Sequence, residues 1–376
     1  MIKVVVVGCG IVGAAIAYEL SQIPGLTVTG VDRHPPAQAA TGAALGVLMG
    51  AISQKTKGNN LRMRLSSIQR YNSLILQLES VTGRKIPFNQ QGILRLYFEG
   101  EDLAGWKQLV EIREAQGWRL EICDRTHLLL NYPQLNLEQI GGAIYSPCDR
   151  QVDPTALTLA LVDAATQNGA TFKFNAEVIG ADSHHNGQSQ QCQQLDTTRG
   201  PLPLDWLVIA AGLGSTPLTT HLQYPVDIRP VLGQAVHLKL QTSLGKPDLQ
   251  PVISGNDVHI VPLANKEYWV GATVEFPPAS EQSNVDSISP DITALDRVMQ
   301  QAIALCPALA DATRLRTWSG LRPRPEGRPA PIIEILPGFN NILLATGHYR
   351  NGVLLAPATA AKIRQMIMGE KAVGDK

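Results

Sequence analysis

Neither sign of charge is in excess in this sequence, and charged residues are few. Lys and Arg together number 32 and Asp and Glu together number 32, so the formal net charge at pH 7 is +0. Without a basic face or tail, neither nucleic acid nor an anionic membrane surface is an expected partner. Charged residues make up 17% and hydrophobic residues 44%, a composition typical of globular enzymes and not of disordered chains. A small, locally bound ligand is the expected partner.

Cysteine is scarce and its positions form no pattern. The five cysteines are odd in number and scattered, and no pair has C-x-x-C spacing: Cys9, Cys123, Cys148, Cys192 and Cys306. This spacing supports neither a disulfide framework nor a zinc site. A reducing cytoplasm is the expected location, and no metal is expected.

Long apolar runs are missing as well. No stretch reaches the roughly 20 apolar residues that a membrane-spanning helix requires. The first twenty residues combine one Lys with an apolar run, as a secretory signal does, but glycines interrupt the run at fixed spacing and no cleavage site follows. The sequence therefore predicts no membrane insertion.

A nucleotide-binding pattern occupies the start of the chain. The valine run at 4–7 predicts a strand that is buried on both faces of a parallel sheet. It is followed by Gly8-x-Gly10-x-x-Gly13, by a helical stretch rich in Ala and Leu, and by a second strand that ends at Asp32. Together these segments make a complete βαβ unit of about 30 residues.

The three glycines, the start of the helix and the acidic residue of this pattern each have a physical role. Gly8 permits the tight turn from strand to helix, Gly10 lets the backbone approach a pyrophosphate, and Gly13 allows close packing of helix on strand. The helix N-terminus supplies amide donors and a positive dipole end. Asp32 is placed to accept hydrogen bonds from ribose hydroxyls. The pattern predicts binding of an adenine dinucleotide, either NAD(P) or FAD.

Two late strands favour FAD over NAD(P). Residues 207–212 (LVIAAG) and 343–347 (LLATG) are apolar strands that end in small residues, where a long cofactor can pass close to the backbone. Gly212 is one such position. A simple NAD dehydrogenase keeps its nucleotide-binding half contiguous in sequence, so strands that return this late point to FAD.

The remaining pattern indicates a second, different sheet. Helices are predicted at 60–81, 103–116, 155–168, 292–304 and 357–368, and strands at 92–97, 172–178, 206–211 and 341–346. Residues 226–274 alternate and are punctuated by Pro, which is typical of a mixed or antiparallel sheet. The polar stretch 183–200 is predicted to be an exposed loop between hairpin strands.

Three C-terminal motifs resemble those of the glycine oxidases of thiamine biosynthesis, which belong to the D-amino-acid oxidase group of flavoproteins. They are GHYRNGVLLAPAT at 347–359, WSGLRP at 318–323 and GAT at 271–273. The resemblance extends over nearly the whole chain and is loose by about one residue around 45–50.

The resemblance implies which residues contact the cofactor. FAD is expected to be held without a covalent bond, since no cysteine occurs between 322 and 351. The implied contacts, which join the glycine pattern and Gly212, are Ile11, Val12, Asp32, Arg33, Ala40, Thr41, Gly46, Val47, Val178, His348, Tyr349, Arg350, Asn351, Gly352, Val353 and Leu354.

The resemblance also implies a substrate pocket. Arg322 is expected to anchor the substrate carboxylate, with Arg350 nearby, because a guanidinium fork can make two parallel charge-assisted bonds to a carboxylate. Where the family usually has a Tyr, this sequence has His259. Its titration is expected at around 6–7 before any shift by its surroundings. A strand histidine in a structural role is the alternative.

The expected fold is α/β, with a Rossmann-like FAD-binding domain and a second α+β substrate domain that contains a mixed or antiparallel sheet. The domains are predicted at 1–86, 146–216 and 328–376, and at 87–145 and 217–327.

The expected activity is oxidative deamination of a small amino acid, glycine or a related amine or D-amino acid, to an imino or 2-oxo acid. Dioxygen would be reduced to hydrogen peroxide, and the product would supply thiazole synthesis. No catalytic side chain is expected, because hydride passes directly to the flavin. The alternatives are a dehydrogenase that passes electrons to a quinone or carrier, a sarcosine-type oxidase, and a non-catalytic flavin-binding module. Assembly into a homo-oligomer stays open.

Overall fold

The computed structural model describes residues 1–187, 189–278, 280–281 and 285–370. The helices are α1 (Ile11–Ser21), α2 (Asn59–Thr82), α3 (Ala104–Ala115), α4 (Arg125–Asn131), α5 (Pro154–Gln167), α6 (Ser215–His221), α7 (Ile292–Leu305) and α8 (Gly352–Met368). The strands are β1 (Ile2–Val7), β2 (Leu26–Val31), β3 (Val47–Leu48), β4 (Phe88–Asn89), β5 (Ile93–Phe98), β6 (Glu121–Cys123), β7 (Ile140–Ser146), β8 (Arg150–Val152), β9 (Thr171–Lys173), β10 (Val178–Asn186), β11 (Ser189–Thr197), β12 (Leu202–Pro203), β13 (Trp206–Ile209), β14 (Ile228–Lys239), β15 (Val252–Gly255), β16 (Val258–Pro262), β17 (Glu267–Gly271), β18 (Thr313–Pro325), β19 (Ile332–Ile335) and β20 (Ile342–Thr346).

A six-stranded sheet carries the N-terminal pattern. Its order is β19-β20-β13-β1-β2-β9, and all neighbours are parallel except β19 and β20. The valines of β1 are at most 8% exposed, as expected for a strand covered on both faces. Helix α1 packs against α5 and α8, and its small buried residues Ala14 and Ala17 allow this close approach.

An eight-stranded sheet forms the second layer. Its order is β18-β14-β17-β16-β15-β5-β7-β6, and it is mixed, because β15 and β5 are parallel while the other neighbours are antiparallel. Helix α7 packs against β16 and β17 through an apolar face with helical spacing that includes Leu295, Met299 and Ala302. The predicted fold class, with a mixed sheet in the second half, is confirmed.

The two sheets draw on alternating parts of the chain. The six-stranded sheet takes its strands from 2–31, 171–209 and 332–346, and the eight-stranded sheet from 93–146 and 228–325. The domain bounds given above stay a prediction.

Two local predictions are wrong. The described residues of the polar stretch 183–200 are largely strand, since β10 and β11 form an antiparallel hairpin in which His184 lies opposite Gln191. Its polarity was misleading because only scattered positions, such as Leu195, are buried. The single strand predicted at 172–178 is divided between β9 and β10, and Asn175 between them has a φ of 53°.

No helix in the described ranges is both long enough and apolar enough to cross a bilayer. Within the same ranges, no group of three or more His, Cys, Asp or Glu side chains is arranged to hold a metal ion. All five cysteines are free.

Candidate active site

A long cavity lies where the two sheets meet. Its floor is at the carboxyl ends of β1, β13 and β20, the edge at which open α/β sheets bind ligands. Residues of β14, β16 and β18 from the other sheet line the opposite wall. The cavity and its open mouth together enclose about 1430 Å³ of space that protein atoms do not fill.

The glycine turn lines one end of this cavity. Gly8 has a φ of 103°, and a Cβ at Gly8 would lie 2.5 Å from the carbonyl oxygen of Ala210. A Cβ at Gly13 would lie 1.8 Å from the carbonyl oxygen of Gly8, so neither position accepts a side chain. Helix α1 starts directly after Gly10 with no side-chain cap and no acidic residue in its first turn. This end suits a phosphate-bearing ligand.

Asp32 lies on the same wall of the cavity. Its Oδ2 accepts a hydrogen bond from the Cys9 amide at 2.6 Å and its Oδ1 accepts one from the His34 amide at 2.8 Å. These bonds fix the carboxylate, and each oxygen keeps a further lone pair for a hydroxyl. The geometry fits the predicted ribose contact.

The segment after β20 lines the middle of the cavity. Gly347 and Tyr349 have φ values of 65° and 53°, which turn the chain into helix α8. His348 is buried, and its Nε2 lies 2.9 Å from the Thr359 hydroxyl. Burial lowers the pKa of His348 to about 4, so this imidazole is neutral near pH 7.

Arg322 projects from β18 into the cavity. Its Nη1 donates to the Leu232 carbonyl at 3.0 Å, and no acidic side chain of the described residues pairs with it within 4.0 Å. The guanidinium lies over Gly233, where a Cβ would be 2.2 Å from its Nη2. Burial, with the nearby charge of Arg350, lowers the pKa of Arg322. This cation is partly desolvated and free to bind an anion.

Arg350 lines the cavity and is partly exposed to solvent. Its side chain is 40% exposed, and its Nη2 is 3.8 Å from Oδ1 of Asp257, which is 86% exposed. Such exposed ion pairs are worth little, because water screens them.

His259 on β16 lines the cavity on the wall that the eight-stranded sheet forms. Its Nδ1 is buried without a hydrogen-bond partner among the described residues. Burial, followed in effect by the charge of Arg350, lowers its pKa to about 4. The titration expected around 6–7 is therefore displaced downward, because the imidazolium would lose its hydration and face the guanidinium groups of Arg350, Arg95 and Arg322.

The comparisons with known proteins agree with this geometry. The family model for FAD-dependent oxidoreductases named DAO matches residues 3–366. The chain belongs to the DAO family of FAD-dependent oxidoreductases. This membership confirms both the predicted family group and FAD as the cofactor.

Several relatives of this DAO-family chain are known. It is 32% identical over 373 residues to the bifunctional protein ThiO/ThiG of Nostoc sp., covering 98% of this chain and 53% of that protein. It is 27% identical to a glycine oxidase of Geobacillus kaustophilus, covering 97% and 92% of the two chains. The crystal structure of glycine oxidase from Geobacillus kaustophilus superposes with a TM-score of 0.86 at 26% identity, covering 100% of this chain and 97% of that one. The chain spans about half the length of the bifunctional relatives.

Most, but not all, of the predicted site residues of this DAO-family chain lie on the cavity. Those on its wall are Gly8, Gly10, Ile11, Val12, Asp32, Ala40, Thr41, Gly46, Val47, Gly212, His259, Arg322, His348, Tyr349, Arg350, Gly352, Val353 and Leu354. Gly13, Arg33, Val178 and Asn351 do not line it. Gly13 packs beneath the turn, Arg33 is exposed, and Val178 packs against an apolar cluster beside the six-stranded sheet.

Asn351 and its hydrogen-bond partner Arg64 do not line the cavity, but they connect two segments next to its wall. Arg64 Nη2 donates to the Asn351 Oδ1 at 2.9 Å, and its Nη1 donates to the Met49 carbonyl at 3.0 Å. Arg64 thus ties the start of α8 to the segment after β3. No sequence motif indicates Arg64, because its partner Asn351 is 287 residues away in the chain.

A second unpredicted contact joins the two sheets. The Trp318 indole donates to the Ala43 carbonyl at 3.0 Å, and a Cβ at Gly320 would lie 2.3 Å from the Ala43 Cβ. Strand β18 therefore packs directly on the loop after β2, whose residues also line the cavity. This contact gives a structural reason for Trp318 in the motif at 318–323, which is one of those that carry the resemblance.

Replacing Asp32 by Ala should weaken FAD binding by roughly 1–3 kcal/mol, the scale for hydrogen bonds to a charged acceptor. The measurement is the FAD dissociation constant of the reconstituted apoprotein. Asp205→Ala serves as a control, since that carboxylate binds the Lys3 amide on the exposed surface. An unchanged dissociation constant for Asp32→Ala would remove this residue from the ribose role.

His259 and His348, both neutral near pH 7, should make the protein less stable in acid. Their pKa values of about 4 lie below the ordinary value of ~6.5 that they regain on unfolding. Between these values the unfolded chain binds more protons, so the free energy of unfolding falls as the pH falls from about 6.5 toward about 4. Urea unfolding of the holoprotein at several pH values measures this slope, and His259→Gln should reduce it. An identical slope in the variant would contradict the assignment to His259.

Proposed function

We propose that this protein is an FAD-dependent oxidase that deaminates a small amino acid, glycine or a related amine or D-amino acid. The observation that carries the proposal is Arg322, a half-buried guanidinium on the cavity wall with no acidic partner among the described residues. A free, partly desolvated guanidinium favours a carboxylate ligand. The glycine oxidases among the relatives support the same substrate class.

The chain's own residues divide into two groups in this proposal. The glycine turn, the start of α1 and Asp32 hold the dinucleotide end of FAD. The chemistry that bound FAD supplies is acceptance of a hydride from the substrate Cα and transfer of the electrons to dioxygen, which yields hydrogen peroxide.

Arg322 orients the substrate by its carboxylate, which leaves the amine and Cα at a defined position in the cavity. The substrate amine is neutral when it reacts, and water hydrolyses the imino acid product to a 2-oxo acid with release of ammonia. His259 and His348 remain neutral near pH 7, so they add no positive charge beside that amine. No side chain is assigned as a catalytic acid or base. Delivery of the product to thiazole synthesis and a cytoplasmic location are part of the proposal.

Anaerobic mixing with candidate amines tests this function. Glycine, sarcosine and the D- and L-amino acids are added singly to the yellow holoprotein, and loss of the oxidised flavin spectrum is followed. Bleaching by a small amino acid supports the proposal. A protein that no amine bleaches would instead be a non-catalytic flavin-binding module.

Readmission of air separates an oxidase from a dehydrogenase. An oxidase regains its colour at the rate of turnover and produces one hydrogen peroxide for each amine consumed. Slow return of colour, with fast return on addition of a quinone, would favour the dehydrogenase. A strong preference for sarcosine over glycine would favour the sarcosine-type oxidase.

FAD should be released when the holoprotein is precipitated with acid. None of the five cysteines, all within the described residues, lines the cavity, so no thiol is available for a flavin link. The yellow chromophore should remain in the supernatant, where its absorbance is measured against the protein precipitated. Colour retained in the pellet would contradict non-covalent binding.

A further inference from the structure

The Arg322 side chain reaches across β14 to a carbonyl on the far side of that strand. Arg322 lies on β18 opposite Val231, and its guanidinium crosses over Gly233, where a Cβ would lie 2.2 Å from its Nη2. Its Nη1 donates to the Leu232 carbonyl at 3.0 Å. The same carbonyl accepts a hydrogen bond from the Glu275 amide, also at 3.0 Å. The guanidinium and the Glu275 backbone therefore share one acceptor.

The segment that contains Glu275 continues beside β14 after β17 has ended at Gly271. Leu232 and Glu275 form an isolated antiparallel bridge, in which the Leu232 amide also donates to the Glu275 carbonyl at 2.9 Å. Closer to β17, the Gln234 amide donates to the Thr273 Oγ1 at 2.7 Å, where a regular ladder would have a backbone carbonyl. The position of this segment therefore depends on side chains.

The Glu275 carboxylate fixes this irregular segment. Its Oε1 accepts hydrogen bonds from the Gln234 Nε2 at 2.9 Å and from the Thr273 hydroxyl. Its Oε2 accepts one from the amide of Asp291, the N-cap of α7, at 2.9 Å. Gln234 and Thr273 are each 5% exposed. Loss of the carboxylate would leave buried donors without partners, which is costly, so the segment would move.

The charge of Glu275 also acts on Arg322. Burial and then the charge of Arg350 lower the pKa of Arg322, whereas Tyr349 and Glu275 act in the opposite direction. Arg322 has no ion-pair partner among the described residues, so Glu275 favours the cation from a distance. The N–H groups of the guanidinium that Leu232 does not use are left for a ligand.

We propose that Glu275 is a positioning residue for Arg322. Its amide holds the Leu232 carbonyl in place for the guanidinium, and its carboxylate holds the segment that carries this amide. The inference rests on the proposed function, in which Arg322 binds the substrate carboxylate. Glu275 does not line the cavity, so it acts on the substrate through Arg322.

Glu275→Gln tests the inference in holoprotein with excess FAD. The variant keeps the length of the side chain, but it removes the charge and one acceptor oxygen. We expect KM for glycine to rise roughly 10-fold, less than the about 100-fold that a displacement of 1 Å can cost, with a much smaller change in kcat. Turnover of methylamine, which has no carboxylate for Arg322, should not change. Steady-state oxygen consumption measures all three quantities.

Glu267→Gln is the matched control. Glu267 lies on β17 of the same sheet, where its carboxylate contacts His237 at 2.9 Å and Lys239 at 3.2 Å, and it does not line the cavity. Its loss should leave KM for glycine unchanged. Thr273→Val is a second variant of the network, which removes the hydroxyl between Gln234 and Glu275. It should raise KM for glycine in the same way, and it decides the question if Glu275→Gln does not fold.

The outcomes separate this inference from the proposed function. An unchanged KM for glycine in the folded variant overturns the inference, and so do equal losses for glycine and methylamine, which would make Glu275 a structural residue. In both cases the bleaching of the wild-type flavin by glycine still supports the proposed function. If no amine bleaches the wild-type flavin, the proposed function fails, and the inference fails with it.

Discussion

Replacing Arg322 by Met should lower kcat/KM for glycine by roughly 10²- to 10⁴-fold, the cost of truncating one partner of a desolvated charge pair. Arg322→Lys should lie between this variant and the wild type, because it keeps the charge but loses the fork. Most of the loss should appear in KM if the bond is already made in the ground state. Steady-state oxygen consumption measures both constants.

Amines without a carboxylate distinguish binding from a structural effect. Methylamine and similar compounds cannot use Arg322, so their weak turnover should change little in Arg322→Met. Arg316→Met on the same strand is a suitable control, since Arg316 stacks on Trp318 at 5.0 Å and does not line the cavity. Equal losses for glycine and for methylamine would make Arg322 a structural residue.

The part of the site that could be predicted from sequence is the part that depends on local spacing. The glycine turn, α1 and Asp32 lie within one βαβ unit, and their roles follow from the backbone geometry of a tight turn. The contacts within this unit join residues that are close to each other in the sequence. The Cys9 amide bond to Asp32, for example, spans 23 residues.

The other wall of the cavity depends on strand order, which local spacing does not specify. Parallel pairing of β15 with β5 joins Ile253 to Leu94, and nothing in either segment indicates the other. The same applies to the Trp318 contact with Ala43 and to the Arg64 contact with Asn351. The resemblance alone indicates Arg322, and its hydrogen bond to the Leu232 carbonyl of β14 could not be predicted from the sequence.

The charge state of His259 could not be predicted from the sequence either. Its alternation with apolar residues indicated a strand but not the surroundings of the ring. The downward shift of its pKa arises from burial and from Arg350, Arg95 and Arg322, which come from three other elements. Such effects need the tertiary positions of charges.

Gly233 is the unforeseen position with the strongest expected effect on the substrate. A Cβ there would lie 2.2–2.4 Å from the guanidinium atoms of Arg322. The extended backbone of β14 accepts Ala without strain, so the flexible arginine must move and the fold should survive. Since a displacement of about 1 Å can cost about 100-fold in rate, Gly233→Ala should lower kcat/KM for glycine by roughly 10- to 100-fold with little change in melting temperature or FAD affinity.

A double-mutant cycle decides whether Gly233 acts through Arg322. In the Arg322→Met background the long cation is gone, so Gly233→Ala should cause little further loss, and the two effects should be far from additive. Gly180→Ala is the matched control, because its Cβ would meet Asp196 at an ordinary 3.4 Å on a different sheet. If Gly233→Ala reduces kcat/KM by the same factor in both backgrounds, the glycine does not position Arg322. The close approach of the guanidinium to this glycine would then have only a packing role.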